Sequence, residues 1–206
     1  MKGKAGWSIA VIVLAGSGSL TAAAAEQGQK PGAPPSLKLG PTARRGEYLV
    51  RIGGCNDCHT PWEMGSQGPA PDMSRMLSGH PEQPELPTAP ALPSGPWSVT
   101  MTATHTAFSG PWGTSFTANL TPDKETGLGN WTERNFLEAM RNGRHLGRGR
   151  LILPPMPWFN LAPATDSDLK AIWAYLRSIP AIRNRVPDPL PDVAAASAAP
   201  GPAGTR

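Results

Sequence analysis

Five consecutive residues, Cys55-Asn56-Asp57-Cys58-His59, carry the most specific chemistry in this sequence. Two thiols three positions apart can each add to one of the two vinyl groups of a porphyrin, and the adjacent histidine then lies under the metal. C-x-x-C-H is the attachment pattern of a covalently bound c-type haem. Such a thiol pair could also close a small disulfide, bind zinc or act as a thioredoxin-like redox couple. These are, however, the only two cysteines in the chain. A cysteine-based structural zinc site wants a second Cys or Cys/His pair, and the redox couple wants a βαβ context that the sequence does not offer. The pattern therefore predicts one haem c, bound through thioethers at Cys55 and Cys58 with His59 as proximal iron ligand. A second C-x-x-C-H is absent from the sequence, and no separate metal is expected.

The elements that would position this motif lie between two stretches of low structural content. Lys2 and Lys4, an apolar run over residues 7–14 and Ala23-Ala24-Ala25 read as a secretory signal peptide over residues 1–25, consistent with haem attachment outside the cytoplasm. The apolar run is too short for a spanning helix of ~20 residues. Residues 26–40, rich in Gly, Pro, Gln and Lys, read as a flexible linker, and residues 193–206, nearly all Ala, Pro, Gly and Ser, as a disordered tail. A single domain over residues 41–192 remains. Without Lys2 and Lys4 the 19 Lys plus Arg fall to 17 against 15 Asp plus Glu, a net charge of +2. Two haem propionates would nearly cancel it, so nucleic-acid binding, which needs a concentrated basic face, is not expected.

Three amphipathic segments predict helices. The first runs over residues 42–52 with Thr42 as candidate N-cap and with Gly46 and Val50 on one face, and Gly53-Gly54 ends it. The second starts at Thr132, with Trp131 and Phe136 spaced as a hydrophobic staple and with Phe136, Leu137 and Met140 facing inward, and stops at Gly143. The third opens on Thr165-Asp166-Ser167-Asp168, close to a capping box. It carries Leu169, Ile172, Trp173 and Leu176 at i, i+3, i+4 and i+7, and Pro180 closes it. No alternating apolar run suggests a sheet, so the expected class is all-α, with much irregular chain.

A short helix ahead of the haem motif and an amphipathic helix at the end of the domain resemble the class I cytochrome c fold. That resemblance implies that Gly46 lets the last helix cross the first closely, against Trp173 or Leu176. It also implies a sixth iron ligand, a methionine in a proline-bearing loop before the last helix. Leu153-Pro154-Pro155-Met156-Pro157-Trp158 stands at that place, which makes Met156 the expected distal ligand. A thioether is a weak ligand, and prolines that fix φ in advance reduce the entropy lost on presenting it. Met140 belongs to a helix core, and Met64, Met73, Met76 and Met101 fall in a long polar insertion. His80, His105 and His145 are the rival ligands, read first as surface or hydrogen-bonding histidines.

Asn119-Leu120-Thr121-Pro122-Asp123, Thr126-Gly127-Leu128-Gly129-Asn130-Trp131 and the Met156 loop together resemble the monohaem domains in cytochrome subunits of periplasmic alcohol and aldehyde dehydrogenases and of molybdenum hydroxylases. The resemblance implies a periplasmic electron-transfer protein, not an enzyme. It would carry single electrons by outer-sphere transfer through a His/Met-ligated haem, between a dehydrogenase and the respiratory chain, with a terminal oxidase or another cytochrome as further partner. Membrane association would come only through a retained signal segment or a partner. The alternative is a haem enzyme or gas sensor with an open or displaceable sixth ligand.

Two features fall outside that frame. Residues 61–115 form a long, Pro-rich insertion, expected to be an Ω-like flap over a haem edge or, through Trp97 and Trp112, a docking surface. Arg134, Arg141, Arg144, Arg148 and Arg150, with His145 among them, form a basic cluster that could steer an acidic partner or simply be a solvated helix face.

Overall fold

A computed structural model describes residues 38–90 and 95–191. The signal peptide, most of the linker and the tail expected from the sequence lie outside the described residues, so the fold is that of the central domain. Its five α-helices are α1 (Pro41–Ile52), α2 (Cys55–His59), α3 (Glu133–Asn142), α4 (Trp158–Leu161) and α5 (Asp166–Leu176).

The three longer helices follow local signals. The N-cap of α1 lies two positions earlier than expected: Pro41 takes the first helical position, where its missing N–H costs nothing, so Gly40 is the N-cap instead of Thr42. In α3 the Thr132 hydroxyl accepts from the backbone N–H of Asn135, whose side chain accepts from the backbone N–H of Thr132, a reciprocal capping box. Gly143 ends the helix in the left-handed region at φ 63°. In α5 the Thr165 hydroxyl accepts from the Asp168 N–H, and Leu169, Ile172, Trp173 and Leu176 are all buried.

α1 crosses α5 at Gly46, where an added Cβ would lie 1.9 Å from the carbonyl oxygen of Ala171 and 2.8 Å from Cβ of Tyr175. Ala171 and Tyr175, rather than Trp173 or Leu176, therefore meet the glycine. The core continues from this crossing through Val50, Leu169, Ile172 and Leu176 to Phe136 and Met140 of α3, with Phe136 stacked on Trp173 at 5.6 Å between ring centroids.

The all-α expectation is not met. Residues 61–115 contain most of two small antiparallel sheets: β1 (Trp62–Gly65) with β2 (Gly68–Pro71), and β3 (Thr100–Met101), β4 (Ala107–Gly110) and β5 (Gly113–Phe116) in the order β3-β4-β5. In the second hairpin Gly110 pairs with Gly113, which leaves Pro111-Trp112 as a two-residue turn. Gly113, at φ 91°, adopts a conformation that a side chain would resist. The outer edge of β5 is paired in turn, because Thr114 and Leu190 exchange backbone hydrogen bonds and strap the chain after α5 onto the sheet. The insertion also reaches the core, which corrects the reading of its methionines. Met76 is buried, with the Tyr175 hydroxyl 4.0 Å from its sulfur, and Met73 packs against the same cluster; Met64 and Met101 are exposed.

Candidate haem site

The C-x-x-C-H residues form α2, entered through Gly54 in the left-handed region at φ 66°. One helical turn places Cys55, Cys58 and His59 within a single short element, with both cysteines as free, half-buried thiols. Burial pushes the Cys55 thiol up to about 11, and burial together with the Asp57 carboxylate raises Cys58. Both shifts favour the neutral thiol at neutral pH.

His59 is buried, and its Nδ1 lies 2.8 Å from the carbonyl oxygen of Ala118. A carbonyl can only accept, so Nδ1 carries the proton and Nε2 is left with a free lone pair. Burial lowers the His59 pKa, although the Ala118 hydrogen bond works against it, and the ring stays neutral. A neutral imidazole, oriented by a carbonyl on its other nitrogen, is the state that ligates a metal.

A network of backbone and side-chain hydrogen bonds fixes this orientation. The Gly79 N–H donates to the His59 carbonyl and the His80 N–H to the Thr117 carbonyl, which ties residues 79–80 to both α2 and the chain around Ala118. The buried Thr60 hydroxyl donates to Asn56 Oδ1 and accepts from the Leu77 N–H. Next to Ala118, the buried Asn119 side chain accepts from the Thr121 N–H at 3.0 Å and the Thr121 hydroxyl at 2.7 Å, and donates to the Ile182 carbonyl at 2.8 Å. Asn184 completes the knot by donating to the carbonyls of Ser78 and His80. The sequence drew attention to residues 119–123 as a motif; their structural work is to anchor the segment whose carbonyl holds His59. Ala118 and Asn184 were not foreseen.

Met156 is half-buried and packs against the same core cluster that Cys55 packs against. Its loop is pinned at several points. The Ile152 N–H donates to the Gly143 carbonyl, the Trp158 N–H to the Met156 carbonyl, and Trp158 lies against Gly143, where a Cβ would come within 2.2 Å of its ring.

The rival histidines have other employment. His80 is buried with Nδ1 2.9 Å from the Thr106 hydroxyl and its ring against Phe116, and burial holds its pKa at about 4. His105 stacks on Trp62 at 4.3 Å, and His145 meets the edge of Trp131 at 5.0 Å. Within the basic cluster, Arg134 pairs with Glu138 and Arg141 with Asp166, while Arg144 and Arg150 donate to backbone carbonyls of their own loop. Of the two tryptophans in the insertion, Trp97 is exposed, whereas Trp112 is half-buried and donates to Ser115.

The donor set suits haem c. Two unpaired thiols three residues apart stand beside a neutral histidine with one nitrogen engaged, and a thioether on a braced loop packs against the same core.

No protein-family model matches the chain. Among characterised proteins it is 31% identical over 132 residues to the gluconate 2-dehydrogenase cytochrome c subunit of Pantoea cypripedii, covering 64% of this chain and 22% of that protein. It is 29% identical over 148 residues to the cytochrome c subunit of the alcohol dehydrogenase (quinone) of Gluconobacter oxydans, covering 70% of this chain and 23% of that protein. A shorter match, 38% identical over 58 residues, links it to the fructose dehydrogenase cytochrome subunit of Gluconobacter japonicus, with 28% of this chain and 12% of that protein covered. The chain thus spans less than a quarter of the length of each of these relatives. Over part of its length the chain is thus similar to the cytochrome c subunits of dehydrogenases, and it carries the C-x-x-C-H helix.

Proposed function

We propose that this protein is a periplasmic monohaem cytochrome that carries single electrons by outer-sphere transfer between a dehydrogenase and the respiratory chain. The observation that carries the reading is the pairing of His59 Nδ1 with the Ala118 carbonyl, because it leaves one buried, neutral nitrogen for a metal next to two free thiols. When bound, haem c supplies a one-electron couple between ferric and ferrous iron.

In this reading Cys55 and Cys58 hold the group through thioethers, His59 takes the proximal side and Met156 the distal side. The chain's part is to hold these four side chains still. Asn119 and Asn184 lock the segment that orients His59, and Pro154, Pro155 and Pro157 stiffen the Met156 loop. Donors that stay in place through a change of charge leave little to reorganise. The thioether together with a weakly polar surround would raise the potential, which suits an acceptor from a dehydrogenase and a donor to a terminal oxidase or another cytochrome. The dehydrogenase partner is supported by the names of the gluconate and alcohol dehydrogenase relatives. Residues 1–25 serve as the export signal and 41–192 as the haem domain. No helix among the described residues is long and apolar enough to cross a membrane, so attachment to one would come through the N-terminal segment or a partner.

The test is the optical spectrum of protein matured in a periplasm, ferric and ferrous, with and without carbon monoxide. A weak far-red sulfur-to-iron band in the ferric form that disappears in Met156→Ala, with no response of the wild-type ferrous form to carbon monoxide, is expected. A high-spin wild-type spectrum that shifts with carbon monoxide would overturn the carrier reading.

A further inference from the structure

We propose that Ser115 of β5 is a positioning residue for Met156: its hydroxyl clamps the Met156 loop through the Pro154 carbonyl, so the insertion helps to hold an iron ligand. The proposal rests on Met156 being the distal ligand.

Ser115 is buried, and its Oγ lies 2.6 Å from the carbonyl oxygen of Pro154, 39 residues away in sequence. The hydroxyl has one proton to donate, and the alternative acceptor, the Phe108 carbonyl, is 3.4 Å away. The short contact therefore takes the proton. Trp112 Nε1 donates to the same Oγ at 3.3 Å, so the hydroxyl is held from behind by the turn of its own hairpin. Together these give a relay from the Trp112 N–H through the Ser115 hydroxyl to the Pro154 carbonyl.

The position of this bond gives it its consequence. Pro154 stands two residues before Met156, in a loop where three of the four residues from 154 to 157 are proline and cannot donate. Such a loop is stiff but can pivot as a unit. On its α3 side the Gly143 carbonyl and the Trp158 ring fix it. On the sheet side, no donor other than Ser115 reaches the Pro154 carbonyl among the described residues. Removing the hydroxyl takes away the partly buried hydrogen bond that ties the Pro154 carbonyl to the sheet and frees that side of the loop to move.

The variant Ser115→Ala in the full-length haem protein tests the assignment. A distal methionine competes with added imidazole for ferric iron, so the apparent imidazole affinity rises in proportion to the fraction of molecules in which the methionine is off the iron. Loss of this partly buried hydrogen bond is expected to raise that fraction, and with it the imidazole affinity, by roughly fivefold. The far-red band should persist without imidazole and vanish at a lower imidazole concentration than in wild type. Thr114→Val is the control: it removes a hydroxyl that bonds Ser109 inside the same hairpin and makes no side-chain bond to the Met156 loop. Its imidazole affinity should equal that of wild type.

An affinity unchanged in S115A would overturn the clamp, as would an equal rise in T114V, which would mean that any loosening of the hairpin is enough. If S115A does not mature with haem, Ser115→Cys, close in shape but only a weak donor, is titrated in its place with the same two outcomes. A wild-type protein without the far-red band would refute the distal role of Met156 itself, and the clamp with it. The spectrum of wild type thus separates failure of the ligand assignment from failure of the clamp.

Discussion

Replacing Gly46 by alanine sets two effects of known sign against each other. Within a helix the change is favourable by about 1 kcal/mol, because alanine loses less backbone freedom on folding. At the crossing of α1 and α5, however, the new methyl would sit 1.9 Å from the Ala171 carbonyl oxygen and 2.5 Å from its carbon, both backbone atoms that no rotamer change can move. Ordinary contact begins at 3.4 Å, so the helices must part by about 1.5 Å at this point. A gap of even 0.5–1 Å forfeits roughly a quarter to a half of the dispersion energy of each contact it opens. Val50 on the same face of α1 and Tyr175 on α5 are both buried, so their packing loosens as well. Overpacking of this kind costs about 1–3 kcal/mol, and a clash with backbone belongs at the upper end. Net destabilisation of about 2 kcal/mol is expected in G46A, read as a lower denaturant midpoint with unchanged slope in the ferric haem protein. Gly40→Ala is the comparison, because nothing lies within 4 Å of the added Cβ there, and the poorer N-cap that alanine makes should cost only about 0.5–1 kcal/mol. A G46A midpoint at or above that of wild type would refute the close crossing, since propensity would then have outweighed it.

Asn119→Ala removes a buried side chain that makes close bonds to Thr121 and Ile182, and leaves the Ile182 carbonyl and the Thr121 N–H short of partners. A loss of about 3 kcal/mol, or roughly 6–12 °C in Tm, is expected from thermal unfolding, and a fall below about 2 °C would contradict the role of the knot. His80 is held at about 4 by burial, below its ordinary 6.5, so the unfolded chain takes up a proton that the folded chain refuses. Its contribution is constant above 6.5, and stability falls as pH drops from 6.5 toward about 4. His80→Phe should therefore show a smaller loss of stability between neutral pH and about pH 4.5 by denaturant titration; equal losses in the two proteins would exclude His80 as the source.

The helices were readable in advance because their signals are local. Thr132 and Gly143 lie within twelve residues and mark the observed start and stop of α3, although the reciprocal bond from Asn135 was not foreseen. Met156 was singled out because the resemblance implies a methionine in a proline-bearing loop before the last helix, and three prolines surround this one. The sheets escaped for the opposite reason. No strand among the described residues exceeds four residues, and β2 is Gly68-Pro69-Ala70-Pro71, a composition that propensity assigns to loop; it is a strand only because β1 lies beside it. Gly110-Pro111-Trp112-Gly113 has the composition of a turn, but a turn becomes a hairpin only when flanking residues find one another. The partner of His59 has no side-chain signature at all, because any residue at position 118 offers a carbonyl. Asn184 acts across more than a hundred residues of sequence, on Ser78 and His80.

These unforeseen contacts change what the insertion is for. A flap would cover one edge of the site and could be removed with the ligands left in place. Here β5 ends at Phe116 and the chain runs directly on to Ala118, so Ser115 and Ala118, three residues apart on one extended stretch, reach the Met156 loop and His59 respectively. The hydrogen bonds that fix this stretch come from both directions: β4 and Leu190 on the sheet, and Thr106 and His80 through the backbone of Thr117. Truncating residues 61–115 would then loosen the holds on both sides at once, and a protein shortened in that way should lose its orientation of His59 as well as its grip on Met156. A docking role for exposed Trp97 is compatible with this arrangement, but it would be added to a segment that also holds the proposed site.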